Sequence, residues 1–329
     1  ILSIGDNTNL EISNELQSLR AKSILAMNST NSAQDRANLQ TDAAQIIAGA
    51  DQLATLASYN NQTLTDGTFT SKNVNLGGST AHQISISLDS AKTAALGQYY
   101  ISGSAHLNVA ASNDTAAATD VTSQTLSISG KATASVSIAT GSSAKTAAAA
   151  VNAATATTGV SATASTTLKL DTLASLASGK SVSFKIGSIQ IASTLVTSSD
   201  LSALATSINL STASTGVTAV VGSSNSELLL SNTDGSDILI DDFLTTNTAD
   251  SSASMQVTAV NSRSGAEVGS AVSVYHVIST SRQASIDSVL AIGQLEISYH
   301  KGFSMTGGAS TSTLLAQSNT VASEFVSTI

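Results

Sequence analysis

Four histidines, His82, His106, His276 and His300, are the side chains best suited to hold a metal or relay a proton in this chain. None stands four residues from another and none lies in a His-Glu-x-x-His run, so they read as loop or sheet-surface residues rather than ligands. Asp241-Asp242 and Asp234-x-x-Asp237 resemble fragments of a calcium loop, but the spaced third acid and closing Glu are missing; solvated acidic turns are the simpler reading. Gly77-Gly78 and Gly307-Gly308 lack the trailing Lys-Ser/Thr that would grip a phosphate. With no Cys, thiolate catalysis, disulfides and cysteine zinc sites are excluded. The many Ser side chains stand in no nucleophile-base-orienter arrangement. The expectation is a chain with no catalytic set, no metal and no cofactor.

The composition points the same way. The 329 residues carry 13 Lys and Arg against 22 Asp and Glu, a formal net charge of -9. A phosphate-neutralising basic stripe is therefore not available, and no nucleic-acid partner is expected. Aromatics make up 3% and Trp is absent, so the 41% of hydrophobic residues are mostly Ala, Leu, Ile and Val, suited to small regular interfaces more than to a ligand pocket. Proline is absent as well, which removes slow X-Pro isomerisation and suits a protein that travels unfolded and folds quickly. No run of about 18 apolar residues argues for membrane insertion, and no secretory signal is visible at Ile1. Length sets a prior of about two or three domains.

The elements that must position any functional residues begin with two helices over residues 1 to 58, broken near Asn28 to Ser32 where Asn and Ser side chains offer N-caps. The second carries Leu39, Ala43, Ile46, Ala50, Leu53 and Ala57 at alternating spacings of four and three, a heptad seam. The matching row of the first is Ile12, Leu16, Leu19, Ser23 and Ala26. Two such helices cannot satisfy their seams alone, which implies a third helix or another subunit. Tyr59-Asn60-Asn61 ends the helical pattern, and Asp66-Gly67 makes a turn before period-2 segments at Val74 to Leu76 and Ile84 to Leu88, a hairpin.

From about residue 100 to 275 the chain is rich in Ser, Thr, Ala and Gly, yet residues 151 to 162 match residues 208 to 219 at an offset of 57. Each copy reads as a short helix, a Thr-Gly turn at Gly159 or Gly216, and a strand. With hairpins upstream, at about Thr125 to Ala139 and Ser181 to Ala192, the copies form two strand-strand-helix-strand modules, read as a tandem insertion of two small α+β lobes. Residues 278 to 303 return to a helical spacing through Ile286, Val289, Ile292, Tyr299 and Phe303, and this is taken as the third helix. The expected fold is α+β: a coiled-coil-like helical core from both chain ends with an inserted β-rich outer part. The divisions are 1–95 for the N-terminal helices and hairpin, 96–275 for the insertion with modules at about 121–175 and 176–245, and 276–329 for the C-terminal helix and a final amphipathic segment. The core seam comprises Ile12, Leu16, Leu19, Leu39, Ile46, Leu53, Ile286 and Val289.

The ends resemble bacterial flagellin. Residues 16–30 followed by Asp35-Arg36-Ala37-Asn38-Leu39-Gln40 look like the junction of its two N-terminal core helices. Residues 59–69 resemble the family's aromatic-Asn-Gly-Gln-x-Leu-x-Asp-Gly turn, carried by Asn60, Asn61, Asp66 and Gly67, with Asn61 where Gly is usual. The Thr-Gly-Val modules look like the insertion motif of flagellins of the Campylobacter and Helicobacter type. Ile1 falls inside the first core helix, and residues 314–321 resemble the family's last residues after a short Gly-rich connection, so the sequence is expected to be a piece of a longer chain.

The resemblance implies a structural subunit that self-assembles into the extracellular flagellar filament, with an export chaperone and cap or junction proteins as partners and O-glycans on the Ser/Thr-rich middle. It also implies that Gln17, Ser18, Leu19, Arg20, Ala21 and Lys22 form the surface that contacts neighbouring subunits and is read by the flagellin-sensing Toll-like receptor. Recognised flagellins carry Arg, Glu and Leu where this chain has Ser18, Ala21 and Lys22, which implies weak sensing. The alternatives are a hook-filament junction protein and a secreted β-rich adhesin that binds glycans.

Overall fold

In a computed structural model of the chain, residues 2–26, 31–75, 77, 83–96, 98–110, 116–175, 180–192, 194–246, 253–276, 286–307 and 322–324 are described. The fold is α+β. Ile1–Tyr99 with Ala322–Ile329 make one compact unit, and Tyr100–Val321 the other.

The first unit is built on helices Leu2–Ala26 and Ala33–Leu56. Ser32 starts the second helix with a capping box: its hydroxyl accepts from Asp35 N, and Asp35 accepts from the Ser32 N–H at 3.0 Å. Gly5, Ile12 and Leu19 are buried at a seven-residue period along the first helix; Ala43, Ala50 and Ala54 of the second helix and its C-cap Ala57 are buried at spacings of seven, four and three. Leu16, Leu39, Ile46 and Leu53 flank this seam half-buried. Beyond the helices, Ser58–Tyr59 pairs with Gln62–Thr63 around Asn60 and Asn61, both at positive φ (48° and 62°), the signature of a tight two-residue hairpin turn. The Asp66 carboxylate then accepts from the Thr68 N–H and hydroxyl, turning the chain at Gly67. Lys72–Asn75 pairs with Gln83–Ile86 as the expected hairpin; Leu76 lies outside the described residues. The segment after it is strapped to the second helix, where Asp51 accepts from the Thr93 N–H and hydroxyl at 2.7 and 2.8 Å.

The second unit is organised by one long strand, Ser161–Ala174. Residues 166–170 pair with Leu228–Asn232 on one edge; on the other, 161–165 pair with Gln294–Ser298 and 168–174 with Ser254–Ala259. Gln294, 4% exposed, sits where these last two strands meet, with its Oε1 accepting from Ser262 N and its Nε2 donating to Ser102 and Gly103. A second sheet contains Ser181–Ile186, Ile238–Thr245, Val289–Ile292 and His106–Val109. Between the sheets lies the main core, with Phe184, Phe243, Leu168, Leu170, Leu204 and Ile208 fully buried.

The sequence repeat is a structural repeat to the level of single hydrogen bonds. Helix Ala144–Ala153 and its short continuation Thr155–Thr158 end at Gly159; helix Ser202–Leu210 and Thr212–Thr215 end at Gly216, and both glycines are left-handed at φ 75° and 70°. Asn152 donates to Ala162 O and accepts from Ala162 N, both at 2.8 Å, and Asn209 does the same to Ala219. Thr155 and Thr212 each donate to the carbonyl five residues on, Val160 and Val217, at 2.7 and 2.8 Å. Each Asn thereby acts as a piece of neighbouring strand, satisfying backbone groups that would otherwise leave a sheet edge open.

Two expectations are corrected. The modules are not two separate lobes: the first module's strand Ser161–Ala174 runs on into the second module's core, where Leu168 and Leu170 pack with Leu204 and Ile208. Nor is the third helix expected over 278–303 found: 278–285 lie outside the described residues, and 286–303 are not helical. They run through strands Val289–Ile292 and Gln294–Tyr299, so Ile286 and Val289 belong to no helical seam. Val289 is buried in the sheet core, and the Ile286 carbonyl accepts from Tyr275 N. These strands are buried on both faces, and such strands read as continuous apolar runs whose spacing imitates a helix. Of the final amphipathic segment, only Ala322–Glu324 is described, as a short strand.

A Cβ at Gly159 would lie 2.6 Å from the Tyr299 ring, whereas at Gly216 it would meet Asn232 Nδ2 at 3.1 Å. Gly216→Ala should cost about 1–2 kcal/mol for the left-handed backbone alone, and Gly159→Ala should cost roughly 1–3 kcal/mol more through overpacking. Urea unfolding midpoints of the two variants should therefore fall in that order.

Candidate assembly surface

The residues with acid-base or ligand chemistry are engaged in local structure. His106 Nε2 lies 3.3 Å from Asp120, His276 is buried with Nδ1 2.9 Å from the Thr245 hydroxyl, and His300 packs edge-on to Tyr299. His82 lies outside the described residues. Asp234 accepts from Lys145 Nζ at 2.7 Å and from Ser236 N at 2.8 Å, which holds its carboxyl down at about 2. Asp237, three residues on, accepts from Gly293 N at 3.0 Å, and burial pushes its pKa up. Asp242 pairs with Lys185. Among the described residues no three His, Asp or Glu gather closely enough to hold a metal.

The surface with an unmet physical demand is on the helix pair. The six consecutive residues Gln17 to Lys22 span about 500° around a helix at 3.6 residues per turn, more than a full circle, so they cannot form one face. Leu19 is 7% exposed inside the pair, and Lys22 donates to Asp42 across it. Gln17, Ser18, Arg20 and Ala21 face solvent. Sequence reading missed the apolar residues on the opposite side. Leu10, Ile24 and Leu25, about 120° to 220° around the helix from Ile12, are 63%, 60% and 56% exposed. Leu56, at the end of the second helix, is also exposed. A helix apolar on two sides needs more than one partner. Scanning for a single seam hid this second stripe.

Beside the seam, a furrow of about 350 Å³ runs between the first helix and the segment 88–96. Ile12, Leu16, Leu88, Ala91 and Leu96 line it, with Asn9, Ser13 and Asp89 at its margin. A second depression of about 420 Å³ continues it past Leu88 and Asn9 to Gly5, Asp6 and Leu2. Opposite in character is the hairpin Lys72–Asn75/Gln83–Ile86. Its pairing places Val74 against Ile84 and Lys72 against Ile86 on one face, with Val74 and Ile84 exposed.

Comparison with known proteins gives one family match. Residues 125–177 match the family described as the Flagellin hook IN motif. This span contains the first module from its hairpin to the end of the long strand. No curated protein matches the chain. Among solved structures, that of FliC from Burkholderia pseudomallei is similar at a TM-score of 0.30 and 21% identity, covering 43% of this chain and 58% of that one. This chain thus spans little more than half of that structure.

The placement of these residues has two measurable consequences. Leu19→Ala should destabilise the helix pair by about 2–5 kcal/mol, while Gln17→Ala and Ser18→Ala stay within about 0.5 kcal/mol, as read from thermal unfolding of the helical circular-dichroism signal. The Asp234 carboxyl is depressed from 3.8 to about 2, so its contribution is complete above pH 3.8 and lost as pH falls toward 2. Its side chain and that of Lys145 are about half exposed, so the effect is small. An Asp234→Asn variant should lose less stability than the parent between those pH values, and a carboxyl NMR titration should give a midpoint near 2.

Proposed function

We propose that this chain is a structural subunit of a bacterial flagellar filament, a homopolymer whose copies meet through the helix pair. The observation that carries the reading is the second apolar stripe of the first helix, Leu10, Ile24 and Leu25, left in solvent opposite the buried Ile12 and Leu19. The flagellin-type motif at residues 125–177 supports the same reading from a separate part of the chain. In this role the β-rich unit is an outer appendage, and the exposed residues Gln17, Ser18, Arg20 and Ala21 are subunit-facing and receptor-facing positions, weakly sensed for want of the Arg-Glu-Leu set. The setting is extracellular, with the chain exported unfolded. An export chaperone, cap and junction proteins are its partners, and O-glycans are carried on its Ser and Thr. The described helices include none long and apolar enough to cross a membrane.

The matched motif's description joins flagellin with hook, which favours a hook-filament junction subunit as the second reading. Junction subunits cap where filament subunits propagate, so electron microscopy of the assembled protein separates them by length. We expect long helical filaments from the parent chain. Leu10→Asp combined with Ile24→Asp should abolish them while leaving the helical content of the dilute monomer unchanged. Short rings or caps would favour the junction subunit, and a parent that never assembles would sink both readings.

A further inference from the structure

The hairpin and the furrow of the helix-bearing unit are complementary in shape, polarity and charge. The furrow follows one stripe of the first helix, Leu2, Gly5, Asn9, Ile12 and Leu16, at spacings of three and four residues. Its length is about 21 Å at 1.5 Å per residue. The hairpin strands, four residues each, are about 13 Å long and fit within it. The hairpin offers two apolar side chains, Val74 at 40% and Ile84 at 50% exposure, with Lys72 at the same face. The furrow offers an apolar floor with Asp6 and Asp89 at its margin.

A hairpin cannot fill its own furrow. Leu88, which lines both depressions, follows the hairpin by two residues, and its N–H is bonded to Phe69 O at 2.9 Å. This pins the hairpin's base at the furrow wall, and two residues span only about 7 Å, too little for the strands to fold back.

Resting on the reading of the chain as a self-assembling subunit, we propose that the apolar hairpin face of one copy seats in the first-helix furrow of a second copy, with Lys72 of the one beside Asp6 and Asp89 of the other. Knob and socket are different surfaces of the same chain, so the contact is heterologous. Each copy that docks presents a fresh socket, and the assembly does not close on itself in pairs.

The absence of Cys allows a direct test on the full chain. Val74→Cys and Asn9→Cys variants are assembled separately and as a mixture, then oxidised. The mixture should give disulfide-linked pairs of unlike variants, exceeding like-variant pairs by about tenfold or more. Dominant Val74→Cys homodimers, or assemblies with no cross-link, would overturn the hairpin-furrow contact and leave the assembly reading standing. A parent chain that stays monomeric would overturn both. As an independent arm, Lys72→Asp should raise the concentration needed for assembly about tenfold, and adding Asp6→Lys should restore it; an unchanged threshold with Lys72→Asp also contradicts the contact.

Discussion

Side-chain size limits what the two long helices can bury against each other. Their shared buried cluster sets Ile12 against Ala50 and Ala54, with Leu16 and Leu53 half-buried beside it, and Ile12 and Leu19 are the large apolar side chains of the pair that are buried. At about 25 cal/mol per Å² of apolar burial, such a seam holds the helices together but leaves most of their large apolar side chains outside it. Helices of this length usually draw most of their stability from tertiary packing. The remaining apolar surface, on the outer stripe, in the furrow and on the hairpin, is therefore the part of this unit that governs its behaviour. A seam rich in small residues leaves the larger leucines and isoleucines of both helices outside it.

The β-rich unit solves a different problem with few aromatics. Its core is filled by Leu, Ile and Val around Phe184 and Phe243, and side chains bond the strand backbone at Ala162 and Ala219. Asn152 and Asn209 each supply one donor and one acceptor to a strand residue, and the repeated Thr and left-handed Gly fix the helix end that aims them. Because these Asn and Thr bonds of one copy have their counterparts in the other, the module is a unit of structure as well as of sequence. Ser161–Ala174 joins the two by serving both, which turns a tandem repeat into one continuous body.

Local signals were legible in the sequence wherever chemistry is local. The Ser32 cap, the Asn60-Asn61 turn, the presence of a hairpin after Gly67 and the Gly159 and Gly216 stops follow from side chains acting within a few residues, and the structure has them there, with the hairpin strands displaced by a residue or two from the alternating segments. The motif match at residues 125–177 likewise falls on a repeat visible by eye. Long-range pairing was not legible. Val289 to Tyr299 alternates poorly because both faces are buried, so its strand character is set by partners at residues 106–109, 161–165 and 238–240 that no local pattern reveals. The proposed assembly surface was half legible. The inner seam follows from heptads, but Leu10 and Ile24 carry meaning only once Ile12 and Leu19 are known to face the other way.

Amide hydrogen exchange, compared between dilute monomer and concentrated assembled protein, tests the central claim most directly. If the helix pair depends on partners, amides of Leu2–Ala26 and Ala33–Leu56 exchange well ahead of those in Ser161–Ala174 when the chain is dilute, and become protected on assembly. Helices as protected as the long strand in dilute monomer, and unchanged on concentration, would contradict the account.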